Sequence, residues 1–238
     1  MIAHFIFAFV APLLPLASSQ GLCPNSTFDE ETIKESVVGH INDHRFKLLK
    51  GLQPNGPWQD RDKWTSETQG YGKKLPMAKT MNEVEWNCNL EKKAKALLDP
   101  QCTDDEPKAP KGKTGLFYKM DISWDEPEIT SAVWAWMEQI EKFAVRDDAI
   151  SNKKVTFKDH DLREYLNLMR PSITKIGCAD ALCKENGVNK YRAFCLTDKE
   201  PLQDNGVVYK AGKGGCDEGE NCPKGFTCEK GLCTKAKP

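Results

Sequence analysis

Apolar residues recur every three or four positions in four stretches of the chain, which is the spacing of amphipathic helices. The four predicted helices cover residues 28–49, 90–98, 130–144 and 161–170. The third has the most regular pattern, and its predicted buried residues are Val133, Trp136, Met137, Ile140, Phe143 and Ala144. In the second, one side carries Leu90, Ala94, Leu97 and Leu98. Thr27 and Glu30 have capping-box spacing, which predicts that the first helix begins there.

The pattern changes after the fourth helix. Residues 172–178 and 191–197 have the composition of strands, and the turn pair Asn186-Gly187 lies between them. Residues 51–80 and 103–113 are polar and rich in Gly, Pro, Asp and Lys, so we expect loops there. Because helices precede strands and long loops separate them, the predicted class is an α+β layered domain.

The chain begins with an apolar stretch that is typical of a secretory leader. Residues 5–16 are almost wholly apolar, which fits the ~7–15-residue core of a signal peptide. Ala17 and Ser19 are small, so the predicted signal peptide is 1–19 and cleavage follows Ser19. No second stretch of this kind exists in the sequence. We therefore expect a secreted, extracellular protein that does not insert into a membrane.

The cysteine content supports an oxidising compartment. Ten cysteines are present, and an even number in a secreted chain predicts disulfides rather than a free nucleophile. The predicted disulfide cysteines are Cys23, Cys88, Cys102, Cys178, Cys183, Cys195, Cys216, Cys222, Cys228 and Cys233. The last four lie in a tail without an apolar run, so disulfides must hold it together. Zinc is the alternative for those four, and the sequence leaves the disulfide connectivity open.

Charge and modification motifs narrow the possible partners. Lys and Arg total 34 and Asp and Glu total 35, so the sequence shows no basic excess that would indicate a nucleic-acid partner. Asn25-Ser26-Thr27 fits the N-glycosylation pattern, and we expect Asn25 to be the acceptor, with an unmodified surface turn as the alternative.

The histidines do not predict a catalytic or metal site. His40 and His44 lie one helical turn apart and could share a metal ion, but Ile41 stands where a zinc protease requires Glu. Two helix histidines without a metal are the favoured interpretation. His160 lies before a helix between two aspartates, which is typical of a surface position. Trp134 falls off the buried face of its helix, and we expect it to pack under a loop, with an exposed recognition residue as the alternative.

The run LPMAKTMNEVEWNCNLEKKA at 75–94 has the pattern P-x-A-x-x-M-x-x-x-x-W-x-C-x-L-E-x-x-A. This pattern resembles the CAP superfamily, which comprises cysteine-rich secretory, venom-antigen and pathogenesis-related proteins. The spacing of the tail cysteines resembles secreted CAP proteins of the hookworm type. The other segments that carry the resemblance are 42–45, 175–178, 191–195 and 209–212. The resemblance implies an α-β-α sandwich at 20–212, followed by a cysteine-rich tail at 213–238.

The resemblance also implies where a functional cleft should lie. Many family members hold two His and two Glu there, which can bind a divalent metal. Carried over residue by residue, Thr114 and Gln139 replace the two Glu and Glu164 replaces one His, while no His lies at 102–112. We therefore expect a degenerate cleft with no catalytic residue, no metal ligand and no cofactor, because zinc prefers imidazole ligands.

The expected function is that of a non-enzymatic effector of a parasitic nematode. Its expected partner is a host protein, in the concrete version a cell-surface receptor of the platelet or leukocyte integrin class. The predicted binding surfaces are the loops 52–74 and 103–128, and their aromatic residues are Trp58, Trp64, Phe117 and Trp124. Two alternatives remain: an extracellular carrier of sterols or fatty acids, with a lipid as its partner, and a metal-dependent hydrolase.

Overall fold

The protein is a mixed helix and sheet structure in which helices cover both faces of a central sheet. The computed structural model describes residues 21–59, 71–216 and 222–236. The described helices are α1 (His40–Leu49), α2 (Cys88–Leu97), α3 (Ile129–Met137), α4 (Gln139–Lys142) and α5 (Arg163–Leu168). The first five strands are β1 (Pro54–Trp58), β2 (Tyr71–Lys74), β3 (Glu85–Trp86), β4 (Gly115–Ile122) and β5 (Lys154–Thr156). The others are β6 (Lys175–Glu185), β7 (Val188–Thr197), β8 (Val207–Lys210), β9 (Phe226–Glu229) and β10 (Leu232–Lys235).

Four strands form the central sheet in the order β3-β6-β7-β4. β6 and β7 pair antiparallel as a hairpin, β4 pairs antiparallel with β7, and β3 pairs parallel with β6. The sheet separates two apolar cores. The smaller core lies under α2 and contains Leu90, Ala94 and Phe194, whereas the larger contains residues of the other helices. This two-sided arrangement confirms the predicted α-β-α sandwich.

The first helix begins later and differently than its sequence predicts. Thr32–Gly39 is π-helical and leads into α1, and the Asp29 carboxylate accepts a hydrogen bond from the Thr32 backbone N–H at 2.6 Å. The capping-box prediction at Thr27 is therefore wrong, because Asp29 provides the side-chain cap. Ile33, Val37, Ile41 and Leu48 recur at helical spacing in this segment, and all four are fully buried.

Helix faces were predicted better than helix ends. The predicted third helix is interrupted at Glu138, which separates α3 from α4. Phe143 and Ala144 follow α4 and are exposed, which corrects their predicted burial. Leu97 is also exposed although its helix is present, since three neighbouring positions already fill the face of α2 that contacts the sheet.

Two predicted loops contain strands. Residues 51–80 include the antiparallel pair β1 and β2, and 103–128 include the whole of β4. Phe117 therefore lies in a strand, where it packs against the smaller core, rather than in an exposed loop. Trp64 and the predicted leader lie outside the described residues.

Five disulfides pair all ten cysteines and settle the connectivity that the sequence left open. The pairs are Cys23–Cys88, Cys102–Cys183, Cys178–Cys195, Cys216–Cys228 and Cys222–Cys233. The last two brace the tail hairpin of β9 and β10, so zinc coordination by these four cysteines is ruled out there. In the described ranges, no helix has the length and apolar character to cross a membrane.

Candidate functional site

Side chains of α4 and α5 meet near the start of β4, where the resemblance places the cleft. The structure brings two of the predicted positions together, because Gln139 Nε2 donates a hydrogen bond to Glu164 Oε2 at 2.6 Å. Gln139 Oε1 accepts from the backbone N–H of Tyr165 at 2.9 Å. Both polar atoms of the Gln139 amide are thus used, and the amide fixes the beginning of α5 against α4.

Arg163 is the central charge of this cleft, and the sequence analysis missed it. Its guanidinium donates to Glu164 Oε1 at 2.8 Å and to the two carboxylate oxygens of Glu106 at 2.6 and 3.2 Å. It also donates to the carbonyl oxygen of Gly115 at 3.1 Å, which connects α5 to the first residue of β4. The paired arrangement with Glu106 is the bidentate geometry that favours strong guanidinium–carboxylate contacts.

The electrostatics of the cleft keep Arg163 charged. Burial by itself would lower its pKa, but the hydrogen bonds that Arg163 donates to Glu106 and the negative charge of Glu164 outweigh burial and raise the pKa above its ordinary value. Since arginine is already protonated at neutral pH, the cleft holds a permanent cation between two carboxylates. A proton-transfer role for this group is therefore excluded.

Two cavities lie on either side of Arg163. One has a volume of about 500 Å³ and is lined by residues 106–113, Gly115 and part of the 200–203 segment. The other has a volume of about 510 Å³ and includes Phe157 and His160. Arg163, Pro201 and Gln203 line both cavities, so the Arg163 side chain forms part of the wall between them.

The third predicted position, Thr114, has different neighbours. Its side chain is fully buried, and its hydroxyl donates to the Lys199 carbonyl at 2.8 Å. The same hydroxyl accepts from Arg170 Nη2 at 3.1 Å. Thr114 thus has a structural role that ties β4 to the segment after β7, and its hydroxyl is directed at these groups rather than at Glu164.

The helix histidines belong to an aromatic cluster in which His40 and Trp134 are stacked and His40 and His44 meet edge to face. His40 stacks on Trp134 with ring centroids 5.0 Å apart, and the rings of His40 and His44 are 5.1 Å apart. Trp134 is half-exposed, so the expectation that a loop covers it is wrong, and His40 is its packing partner instead. The pKa of His44 is lowered to about 4, chiefly by burial.

The cleft does not fit the imidazole-and-carboxylate metal site that the resemblance implies. Three of the four carboxylate oxygens of Glu106 and Glu164 accept from Arg163, and the fourth accepts from Gln139. His160 faces the second cavity but pairs with Asp204 at 3.2 Å. Among the described residues, two sets of three adjacent ligand side chains occur, and each contains a pair of cysteines that is already disulfide-bonded.

The α-β-α sandwich, its cleft beside α5 and its disulfide-braced tail define a CAP-type protein. A family model for the cysteine-rich secretory protein family, CAP, matches residues 38–197, and the chain belongs to this family. Ancylostoma secreted protein from Ancylostoma caninum is 26% identical over 223 residues, which cover 90% of this chain. The match spans 45% of that relative, so this chain covers about half of its length.

Solved structures agree with this fold. The structure of Na-ASP-1 matches with a TM-score of 0.69 and 22% identity, covering 92% of this chain and 49% of that one. The hookworm platelet inhibitor matches with a TM-score of 0.56 and 18% identity, covering 90% of this chain and 96% of that one. The name of the secreted relative and the five disulfides fit an extracellular location.

Proposed function

We propose that this protein is a secreted, non-enzymatic effector that binds a host protein. The observation that carries the proposal is the saturation of the cleft: Arg163, Glu164, Glu106 and Gln139 bind one another. A general acid or base must reach a substrate with a proton to exchange. The carboxylates of this cleft instead face a permanent cation and an amide, which supports binding rather than catalysis.

The outer surface offers a suitable anchor for a protein partner. Trp124 is 83% exposed and lies in the connection between β4 and α3. The Asn189 side chain donates to the Asp125 carbonyl at 2.6 Å, and Lys184 forms an ion pair with Glu126. These contacts fix the Trp124 connection to the β6–β7 hairpin. An exposed indole on a segment that is already fixed loses little conformational entropy when it binds a partner. Residues of this kind are typical of interface hot spots.

The concrete partner that we propose is a host cell-surface receptor of the platelet or leukocyte integrin class. The likeness to the hookworm platelet inhibitor and to a secreted hookworm relative supports this choice. The proposal includes secretion after removal of residues 1–19. It also includes glycosylation of Asn25, whose side chain is exposed.

The first prediction tests this function by surface plasmon resonance against purified integrin and other platelet-receptor ectodomains. We expect saturable binding to one of them, and we expect Trp124→Ala to weaken it by about 30-fold or more, since a hot-spot residue contributes about 2 kcal/mol or more. Trp134→Ala is the matched control, because it removes a second exposed indole, which lies in α3 rather than in the connection before it. Absence of binding to every ectodomain would remove the receptor proposal.

The lipid-carrier alternative stays a prediction. A fatty acyl chain requires an apolar cavity. The cavity beside Arg163 instead carries charged residues, including Glu106, Lys108, Lys111 and Glu200. Mass spectrometry of an organic extract of the purified protein tests this alternative, and a stoichiometric sterol or fatty acid would favour it over the effector.

A further inference from the structure

Four oxygen atoms converge on the guanidinium of Arg163. They are the two carboxylate oxygens of Glu106, one carboxylate oxygen of Glu164 and the carbonyl oxygen of Gly115. Each lies between 2.6 and 3.2 Å from a guanidinium nitrogen. Carboxylate and carbonyl oxygens are also the donors that hard divalent cations prefer. The cleft therefore has the oxygen ligands of a metal-cation site, and the guanidinium of Arg163 occupies the position that the cation would take.

The charge of this group depends on Arg163. Glu106 and Glu164 contribute two negative charges and Arg163 contributes one positive charge, so the three side chains together carry one negative charge. Without the guanidinium, two carboxylates would face a common space with two negative charges. Like charges at close range repel, and a divalent cation is the charge that neutralises this pair.

We propose that Arg163 is a built-in cation that makes the cleft independent of divalent metal ions. The guanidinium connects α5 to β4 and to the polar segment that carries Glu106. Without the guanidinium, a bound metal ion would have to make this connection. Removal of Arg163 alone converts the cleft into an oxygen-lined site for a hard divalent cation such as Mn²⁺. This proposal concerns the cleft and does not depend on which host protein is bound.

The contacts of Arg163 support a mechanical role as well as a neutralising one. Its side chain is about one-third exposed and contacts the polar segment at Glu106, the first residue of β4 and the neighbouring Glu164 of its own helix. It also lines both neighbouring cavities. Substitution of Arg163 would therefore remove part of the wall between them, and a cation bound by Glu106 and Glu164 would restore the connection between α5 and the polar segment.

The experiment measures Mn²⁺ binding by electron paramagnetic resonance of the unbound ion, together with thermal unfolding in Mn²⁺ and in EDTA. For the unaltered protein we expect no tight saturable site and the same Tm in both buffers. For Arg163→Met we expect a saturable site with affinity about tenfold higher or more, because the site loses one positive charge, and a Tm that Mn²⁺ raises. Equal Mn²⁺ affinity in the two proteins would overturn the proposal.

Two further variants separate the site from general charge effects. Arg146→Met removes an exposed arginine that pairs with Asp148, and it should behave like the unaltered protein. Adding Glu106→Gln to Arg163→Met should abolish the new site, and persistence of tight binding would contradict the assignment of the ligands. If Arg163→Met does not fold in EDTA, refolding in Mn²⁺ supports the proposal and failure to refold in either buffer overturns it.

Discussion

The imidazole of His44 is 5% exposed and lies against the rings of His40 and Tyr165. Burial lowers the pKa of His44 to about 4, and the positive charge of Lys47 acts in the same direction. An ordinary histidine titrates near pH 6.5, so the folded and unfolded states differ in proton affinity. The stability of this fold therefore depends on pH in part through this buried side chain.

The second prediction concerns this pH dependence. Between about pH 6.5 and 4, the unfolded state binds a proton at His44 that the folded state does not bind, so stability falls as the pH falls through this window. The shift corresponds to at most about 3 kcal/mol. Urea unfolding at pH 7 and pH 4.5 should show a smaller loss for His44→Gln than for the unaltered protein. His160→Gln, at an exposed position, is the control, and an unchanged loss in His44→Gln would contradict the assignment.

At the scale of single residues, the sequence identified part of the cleft. Gln139 and Glu164 were found because the resemblance carries the family's motif positions over to them, and the structure places them in contact. Arg163 and Glu106 were missed because 57 positions separate them and no periodicity relates their segments. An ion pair between residues far apart in the chain leaves no local pattern in the sequence. The basic residue next to Glu164 could still have suggested that this carboxylate has a partner within the protein.

Among the elements, α2 lies unusually close to β6, and Gly177 permits this approach. A Cβ atom at Gly177 would lie 2.2 Å from the Glu91 backbone nitrogen and 2.6 Å from the Asn87 carbonyl oxygen. Asn87 caps α2 by accepting from the Leu90 backbone N–H at 3.1 Å, so the backbone cannot move aside without loss of the cap. The first turn of α2 and strand β6 therefore require a glycine between them.

The third prediction is that Gly177→Ala destabilises the protein by about 3 kcal/mol or more, which is at the upper end for overpacked cores. Gly187→Ala is the control, because Gly187 has φ +78° but open space around its Cβ position. It should cost only about 1–2 kcal/mol for the strained backbone. Chemical denaturation of both variants measures the two free energies of unfolding. Equal losses of stability would show that the close contact between Gly177 and α2 does not restrict the side chain at this position.

The helices and strands differ in how well they could be predicted from the sequence. The buried stripes of the long helices and the β6–β7 hairpin were predicted, since each has a strong period and a turn signal. β4 was missed although Leu116, Tyr118, Met120 and Ile122 alternate along it, because the surrounding segments are polar. β3, β5 and β8 have two to four residues, which are too few to establish a period, and their partners are distant in the chain.

On the scale of the whole molecule, the tail is joined to the rest of the fold. The Cys233 backbone N–H donates to the Met81 carbonyl at 2.8 Å, and the Glu83 N–H donates to the Cys233 carbonyl at 2.9 Å. The Thr234 hydroxyl donates to a Glu83 carboxylate oxygen at 2.9 Å. The resemblance implied a cysteine-rich tail at 213–238, and the sequence predicted that disulfides hold this tail together because it lacks an apolar run. Backbone pairing with residues 81–83 has no sequence signal, since it does not depend on side-chain type.

The fourth prediction follows from these contacts: the tail and the sandwich unfold together. Loss of one disulfide should cost about 2–4 kcal/mol, so the double variant Cys222→Ala, Cys233→Ala should lower the Tm of a single calorimetric transition. Thr234→Val is the control, because it removes one hydrogen bond to Glu83 and leaves the disulfide intact, and it should shift the Tm only slightly. A separate low-temperature transition, with the main one unchanged, would instead show an independent tail. That result would mean that the backbone contacts at 81–83 form without stabilising the sandwich.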